Sequence, residues 1–308
     1  MKVLPDDKRE KKFQIAGLGQ VLWDVYGDEK FIGGSAANFA VHIANAGQDA
    51  YLCSRVGDDK DGHELLEKLN DMRVTTAGVQ LDIFKPTGRL NITVDRDGHP
   101  NFHCTTDVAF DHMRLDSIWE DLAPKMDAVF FDALAQRSER SREAIHSFLK
   151  KATTGLKMCD LNLRTWNATS EQVVNKSLAL ADVLKLNKNE CELLKSGLRA
   201  DGDDLSFLRQ LVQKHALQLV ALTLGADGCY LITPTEEEYD PGYSIVPLDR
   251  SGAGDAFAAG LVLKILQRAA LTDIADFANR LGAYVCSKKG AVPAWSFSDL
   301  NDFWEKSL

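Results

Sequence analysis

Near the end of the 308-residue chain, Asp249-Arg250-Ser251-Gly252-Ala253-Gly254-Asp255 runs directly into the apolar stretch Ala256 to Leu263. Gly252, Ala253 and Gly254 are small enough to let the backbone approach a ligand closely, and the apolar stretch reads as a helix. A helix start offers free N–H groups and the positive end of the macrodipole, which suits a phosphate. Asp255 then falls in the first turn. A carboxylate beside bound phosphate is a poor phosphate ligand, because like charges repel, but it can take a proton from a hydroxyl attacking that phosphate. The same seven residues are also what a plain Gly-rich turn followed by a helix would contain, with Asp255 as an ordinary helix-start residue.

Other stretches could supply the rest of such a site. Gly33-Gly34 precede a helix carrying Asn38, whose amide offers both donor and acceptor to a polyol. Asp24, at the end of the first strand region, can accept from two adjacent hydroxyls. Arg164 closes Asp160-Leu161-Asn162-Leu163-Arg164 and brings a planar donor fork suited to phosphate or substrate oxygens. Asn187 and Glu190 follow a strand. Glu190 could act through water on Mg²⁺, which keeps much of its hydration shell, and the same spacing is that of a capping box. Thr223 to Gly228 reads as strand-turn-strand, with Gly225 and Gly228 giving a nucleotide access to backbone. Taken singly, Asp24 is equally a turn residue, Asn38 a cap and Arg164 a surface ion-pair partner.

Positioning these residues requires an α/β framework. Strands are predicted at Phe13 to Leu18, Tyr51 to Val56, Ala128 to Phe131, Leu156 to Asp160, Val183 to Leu186 and Leu219 to Leu224. Helical patterns lie between them, among them 35–46, 60–71 and 138–151. This alternation predicts a mostly parallel sheet covered by helices on both faces, with ligands at the carboxyl ends of the strands. One hairpin breaks the pattern: 88–94 and 99–104, joined by a turn at Asp95-Arg96-Asp97-Gly98. With 24–33 it predicts a small β lid over the site, drawn from about 24–33 and 82–107. The chain, 1–308, is expected to be one domain with that lid. Glu236-Glu237-Glu238 is expected to be a solvated loop.

Bulk properties narrow the function classes. A net charge of −9 argues against broad binding to nucleic acid or anionic membrane. No apolar run approaches the ~20 residues of a membrane helix. The charged first twelve residues lack the apolar core of a signal peptide. The six cysteines are scattered without a CxxC pair, as expected of buried free thiols in a reducing cytoplasm. His99 and His103, separated by Pro100 in a strand, make a poor metal pair.

From about Phe13 to Pro293 the chain resembles the PfkB (ribokinase-like) sugar kinases. Both family signatures are present and in order, Gly33-Gly34-Ser35-Ala36-Ala37-Asn38 and Asp249 to Asp255. Within the family it is most similar to bacterial fructokinases, through 19–24, Pro86-Thr87-Gly88, 160–164, 184–187 and Lys289-Gly290-Ala291-Val292-Pro293. The resemblance implies the three-layer ribokinase-like fold and transfer of the γ-phosphoryl of ATP, with Mg²⁺, to a sugar primary hydroxyl, fructose first. Other sugars (2-keto-3-deoxygluconate, ribose, a nucleoside) and a non-catalytic sugar-binding regulator are the alternatives. It implies Asp255 as base, with Gly252, Ala253 and Gly254 as anion hole. Asp24, Gly33, Gly34 and Asn38 would contact the sugar, and Arg164 would lie near substrate and phosphate. Asn187 and Glu190 would serve Mg²⁺ and phosphate. Thr223, Gly225, Gly228 and Asn279 would lie on the nucleotide side. A K⁺ site is implied around Asp249, Ser251, Val285, Lys288 and Gly290. Two departures stand out: Arg250 where relatives often carry a small residue, which places K⁺ activation in question, and Gln20 where fructokinases often have Glu. Lid edges that pair would make a homodimer.

Overall fold

The computed structural model describes residues 12–94 and 100–305. The chain begins with β1 (Gln14–Leu18), β2 (Leu22–Tyr26), β3 (Glu29–Gly33), α1 (Ser35–Asn45), β4 (Asp49–Gly57), α2 (Lys60–Asp71) and β5 (Val74–Asp82). It continues with β6 (Gly88–Val94), β7 (Pro100–Cys104), α3 (Ser117–Leu122), β8 (Ala128–Asp132), α4 (Glu139–Lys151), β9 (Leu156–Asp160), α5 (Ala168–Leu178) and β10 (Val183–Asn187). The last elements are α6 (Lys188–Leu198), α7 (Asp204–His215), β11 (Leu219–Thr223), β12 (Cys229–Ile232), β13 (Glu237–Asp240), α8 (Ala253–Leu266), α9 (Leu271–Cys286) and α10 (Phe297–Glu305).

The large sheet has the order β13-β12-β11-β10-β9-β8-β1-β4-β5. Its pairs from β5 through β11 are parallel, and β12 and β13 add antiparallel at one edge. Strands such as β8, buried along their whole length, carry apolar residues toward both layers of helices. In β8, Phe130 packs with α1, α2, α8 and α9, while Val129 and Phe131 pack with α3 to α7. The period-two alternation thus splits the core into two layers around the sheet, the three-layer ribokinase-like α/β fold. Strand order reverses at β1, which lies between β4 and β8, so a crevice opens at the carboxyl ends there.

A second, four-stranded sheet has the order β3-β2-β6-β7, with β2 and β6 parallel and the other pairs antiparallel. It combines the two segments expected to form a lid. The boundaries differ in one respect: Asp82 ends β5 in the large sheet, a strand the sequence reading missed. Its buried face includes Gln80 and Asp82, which bond Arg55, so the usual apolar signal is weak. The acidic run is not a loop throughout. Glu237 and Glu238 lie in edge strand β13, where Tyr239 packs on Tyr230 across the strands. The expected turn at 95–98, and His99, lie outside the described residues.

Candidate active site

The turn preceding α8 is shaped by Gly252. Its φ of 72° lies in the left-handed region, and a Cβ there would stand 2.3 Å from the carbonyl oxygen of Ala291. Helix α8 starts at Ala253, placing Asp255 in its first turn. Within the helix, Ala256 to Leu263 are buried, packed between α1 and α9. Asn38 on α1 donates to Asp255 Oδ2 at 2.8 Å. Burial pushes the Asp255 pKa up to about 7, against the Asn38 hydrogen bond; Asp160 raises it further and Lys185 opposes. Desolvation is the largest cause of that rise.

Three buried acceptors around the Gly33-Gly34 turn have no partner among the described residues: Asn38 Oδ1, on the side chain that bonds Asp255, Asp24 Oδ1 and Gln20 Oε1. Asp24 sits within β2 rather than at the end of the first strand, and a Cβ on Gly33 would collide with its carboxylate at 2.5 Å. Burial and the charge of Asp249 push the Asp24 pKa up to about 7. Asp249 is the opposite case. It accepts the amides of Ser251 (2.9 Å) and Gly290 (3.0 Å), which hold its pKa below the ordinary carboxylate value in spite of burial. It thereby pins the loop before α8 to the loop after α9.

At the carboxyl end of β10, Asn187 and Glu190 cap α6 reciprocally, each side chain accepting the other's amide at 2.9 Å. Burial, then Asp160, push the Glu190 pKa up to about 7. Thr223 ends β11 directly opposite Asn187 in register. Past it, Gly228 lies against the backbone of Asp240, and Asn279 on α9 donates to Asp240 Oδ1 at 2.7 Å. These nucleotide-side candidates therefore gather at one end of the crevice. Arg164 lies within electrostatic reach of Glu190, whose anion it favours. It is exposed and lines a cavity of about 270 Å³ with Arg137, Leu134 and Asn162, the last of which donates to Ser35 Oγ and Asp132 Oδ2.

The pfkB family carbohydrate kinase model matches residues 17–296. The chain belongs to the pfkB carbohydrate kinase family. It is a phosphotransferase with an alcohol group as acceptor. A sugar kinase of Pyrococcus horikoshii, described as uncharacterized, is 33% identical over 301 residues, covering 92% of each chain. Its structure in complex with ATP has a TM-score of 0.78 at 31% identity, covering 90% of this chain and 94% of that one. The fructokinase of Vibrio cholerae, in a form with fructose, ADP and calcium bound, has a TM-score of 0.81 at 25% identity, covering 96% and 99%. Aminoimidazole riboside kinase of Salmonella typhimurium is 29% identical over 286 residues, covering 88% of this chain and 87% of its own.

Several residues of the kinase entered no expectation as individual groups. Tyr26 shares a hydrogen bond with Ser251 Oγ at 3.2 Å, and Lys289 pairs with Glu29, so the small sheet touches both loops that Asp249 joins. Asp132 is fully buried and accepts from Gln20 Nε2 (2.8 Å) and Asn162 Nδ2 (2.9 Å). Gln20 thus donates where a glutamate would set two carboxylates against each other. His42, buried on α1, bonds the Ala291 carbonyl and accepts from Trp295 Nε1, each at 3.1 Å. Burial lowers its pKa to about 4, so the ring is neutral and Nε2 carries the proton. The six cysteines are free thiols, and no described helix is long and apolar enough to cross a membrane.

Proposed function

We propose that this kinase transfers the γ-phosphoryl of MgATP to the primary 6-hydroxyl of fructose, giving fructose 6-phosphate. The observation that carries the sugar end is the set of buried, unpartnered acceptors on Asp24, Asn38 and Gln20, gathered around the Gly33-Gly34 turn that opens α1, whose Asn38 bonds Asp255. Unpaired buried acceptors are costly, and a ligand bearing several hydroxyl donors relieves that cost. Fructose binding by a relative of this fold supports the choice of ligand.

Asp255 takes the proton as the hydroxyl attacks in line. The free amides at the start of α8, Gly252 to Gly254, receive charge developing on the transferred group. Thr223, Gly225, Gly228 and Asn279 line the nucleotide end. No group of three or more His, Cys, Asp or Glu side chains among the described residues could cage a metal. A lone Glu190 beside phosphates fits Mg²⁺, which keeps waters and is held by one or two carboxylates plus the nucleotide. When bound, Mg²⁺ neutralises phosphate charge. A K⁺ ion would draw on Asp249 and the carbonyls of Ser251, Val285, Lys288 and Gly290. Arg250 brings a second cation close to these groups, so K⁺ stimulation should be weak. The four-stranded sheet is the lid that excludes water, and its edges pair two copies into a dimer.

Asp255→Asn tests the base. Its kcat should fall ~10²–10⁴-fold while the sugar dissociation constant, read by calorimetry, stays within a few fold. Near-normal kcat would remove Asp255 from that role. A second reading, an acceptor sugar bearing an anionic group such as 2-keto-3-deoxygluconate, is favoured by Arg164 facing the 270 Å³ cavity.

A further inference from the structure

Lys185 is the central residue of β10, flanked by Leu184 and Leu186, which both pack into the layer of α3 to α7. Strand alternation therefore sends Lys185 to the opposite face, against the start of α8. Its ammonium donates to Asp160 Oδ2 at 2.7 Å, and the two side chains are 7% and 4% exposed. A Cβ built on Gly254 would lie 2.9 Å from Lys185 Nζ, so the ammonium sits directly beneath the turn that opens α8. Asp160 aligns in register with Lys185 on one side and Asp132 on the other. Asp160 Oδ1 is buried and without a partner among the described residues.

A buried ion pair is a weak source of stability, because desolvation offsets most of its attraction. Three carboxylates, Asp132, Asp160 and Asp255, converge here from β8, β9 and α8. A fixed cation among them has a clear chemical use. We infer that Lys185 is a positioning residue for phosphoryl transfer: anchored by Asp160 beneath Gly254, its ammonium supplies the fixed positive charge that faces Asp255. This rests on the kinase reading above.

The charged groups facing Asp255 are Asp160 from β9, Lys185 from β10 and Asp132 from β8. Helix α1 contributes the neutral Asn38, α9 packs on α8 with Phe277 and Ala278, and Glu190 of α6 acts on Lys185. Lys185 favours the ionised base, whereas Asp160 and Asp132 disfavour it. The two members of the ion pair therefore act on Asp255 with opposite sign, which a purely space-filling role cannot reproduce.

The test follows the titration of the Asp255 carboxylate by ¹³C NMR in protein labelled at aspartate, together with kcat. The forms compared are wild type, Lys185→Met, Asp160→Asn and the double variant. Asp255→Asn assigns the resonance. Lys185→Met should move the Asp255 midpoint to higher pH by about one unit or more, and Asp160→Asn should move it to lower pH. The double variant buries no unpaired charge, so it folds even where Lys185→Met does not. Its midpoint should fall between those of the single variants, with kcat lowered at least tenfold. Midpoints that stay at the wild-type value in the folded variants, or a double variant with wild-type kcat, would overturn the inference. If wild type turns over no sugar, the kinase reading fails, and the titration still reports whether Lys185 and Asp255 are coupled.

Discussion

Asp255 concentrates the chemistry of this molecule, and its position could be read from the chain because its cause is local. A Gly-Ala-Gly turn followed by an apolar helix places the next acidic residue in the first turn wherever the helix packs. Its pH behaviour follows from burial, which only the fold supplies. A base pushed up to about 7 is protonated, and useless as an acceptor, below that pH. Hence kcat/KM should fall about tenfold per unit on the acid side of pH 7 and level off above it. A profile flat from pH 5 to 8 would show that another group accepts the proton. Lys185 was not legible in the same way. Inside Leu184-Lys185-Leu186-Asn187 it looks like one polar residue in a strand, and its meaning depends on register with β9. Asp132 and Tyr26 were hidden for the same reason, since their partners are 30 and more than 200 residues away.

At the level of elements, the junction of the turn with α8 has the least freedom. Gly252 needs a left-handed backbone and also lies against Ala291, whose carbonyl is held by His42. Gly252→Ala should therefore lose ~1–2 kcal/mol from the backbone conformation alone, more from the collision with Ala291, and most of its kcat. Urea unfolding and turnover measured on the same preparation check this; wild-type values for both would mean that the turn tolerates a side chain. The strands that read well from sequence are those buried on both faces, such as β8. Strand β5 did not, because its buried side carries Gln80 and Asp82 around Arg55. Strand β13 did not because an edge strand can keep its acids half in water.

For the whole molecule, β-α alternation was sufficient to expect parallel strands under two layers of helices. It could not give the strand order, in which β1 lies between strands that follow it in sequence. That order brings the ends of β1, β8, β9 and β10 to one crevice, where Gln20, Asp132, Asp160 and Asn187 meet. Crowding acidic groups there has a consequence for stability. Asp24 and Glu190, each raised to about 7, hold protons in the folded state that the unfolded chain releases near pH 4. They therefore lower stability as pH rises from about 4 to 7. Asp249, lowered by its amide partners, contributes stability that is lost as pH falls. Asp24→Asn should accordingly raise Tm over wild type by more at pH 8 than at pH 5; an equal difference at both would mean that Asp24 is not carrying an unfavourable buried charge.

The crevice as a whole is best tested by ADP release from purified protein with MgATP and fructose, ribose, 2-keto-3-deoxygluconate, glucose or adenosine, each with and without K⁺. The account predicts turnover selective for fructose and little changed by K⁺. Selective turnover of another of these acceptors would contradict the fructose assignment while leaving the phosphoryl-transfer chemistry in place, and a folded, ATP-binding protein that released no ADP with any of them would contradict the account of the site.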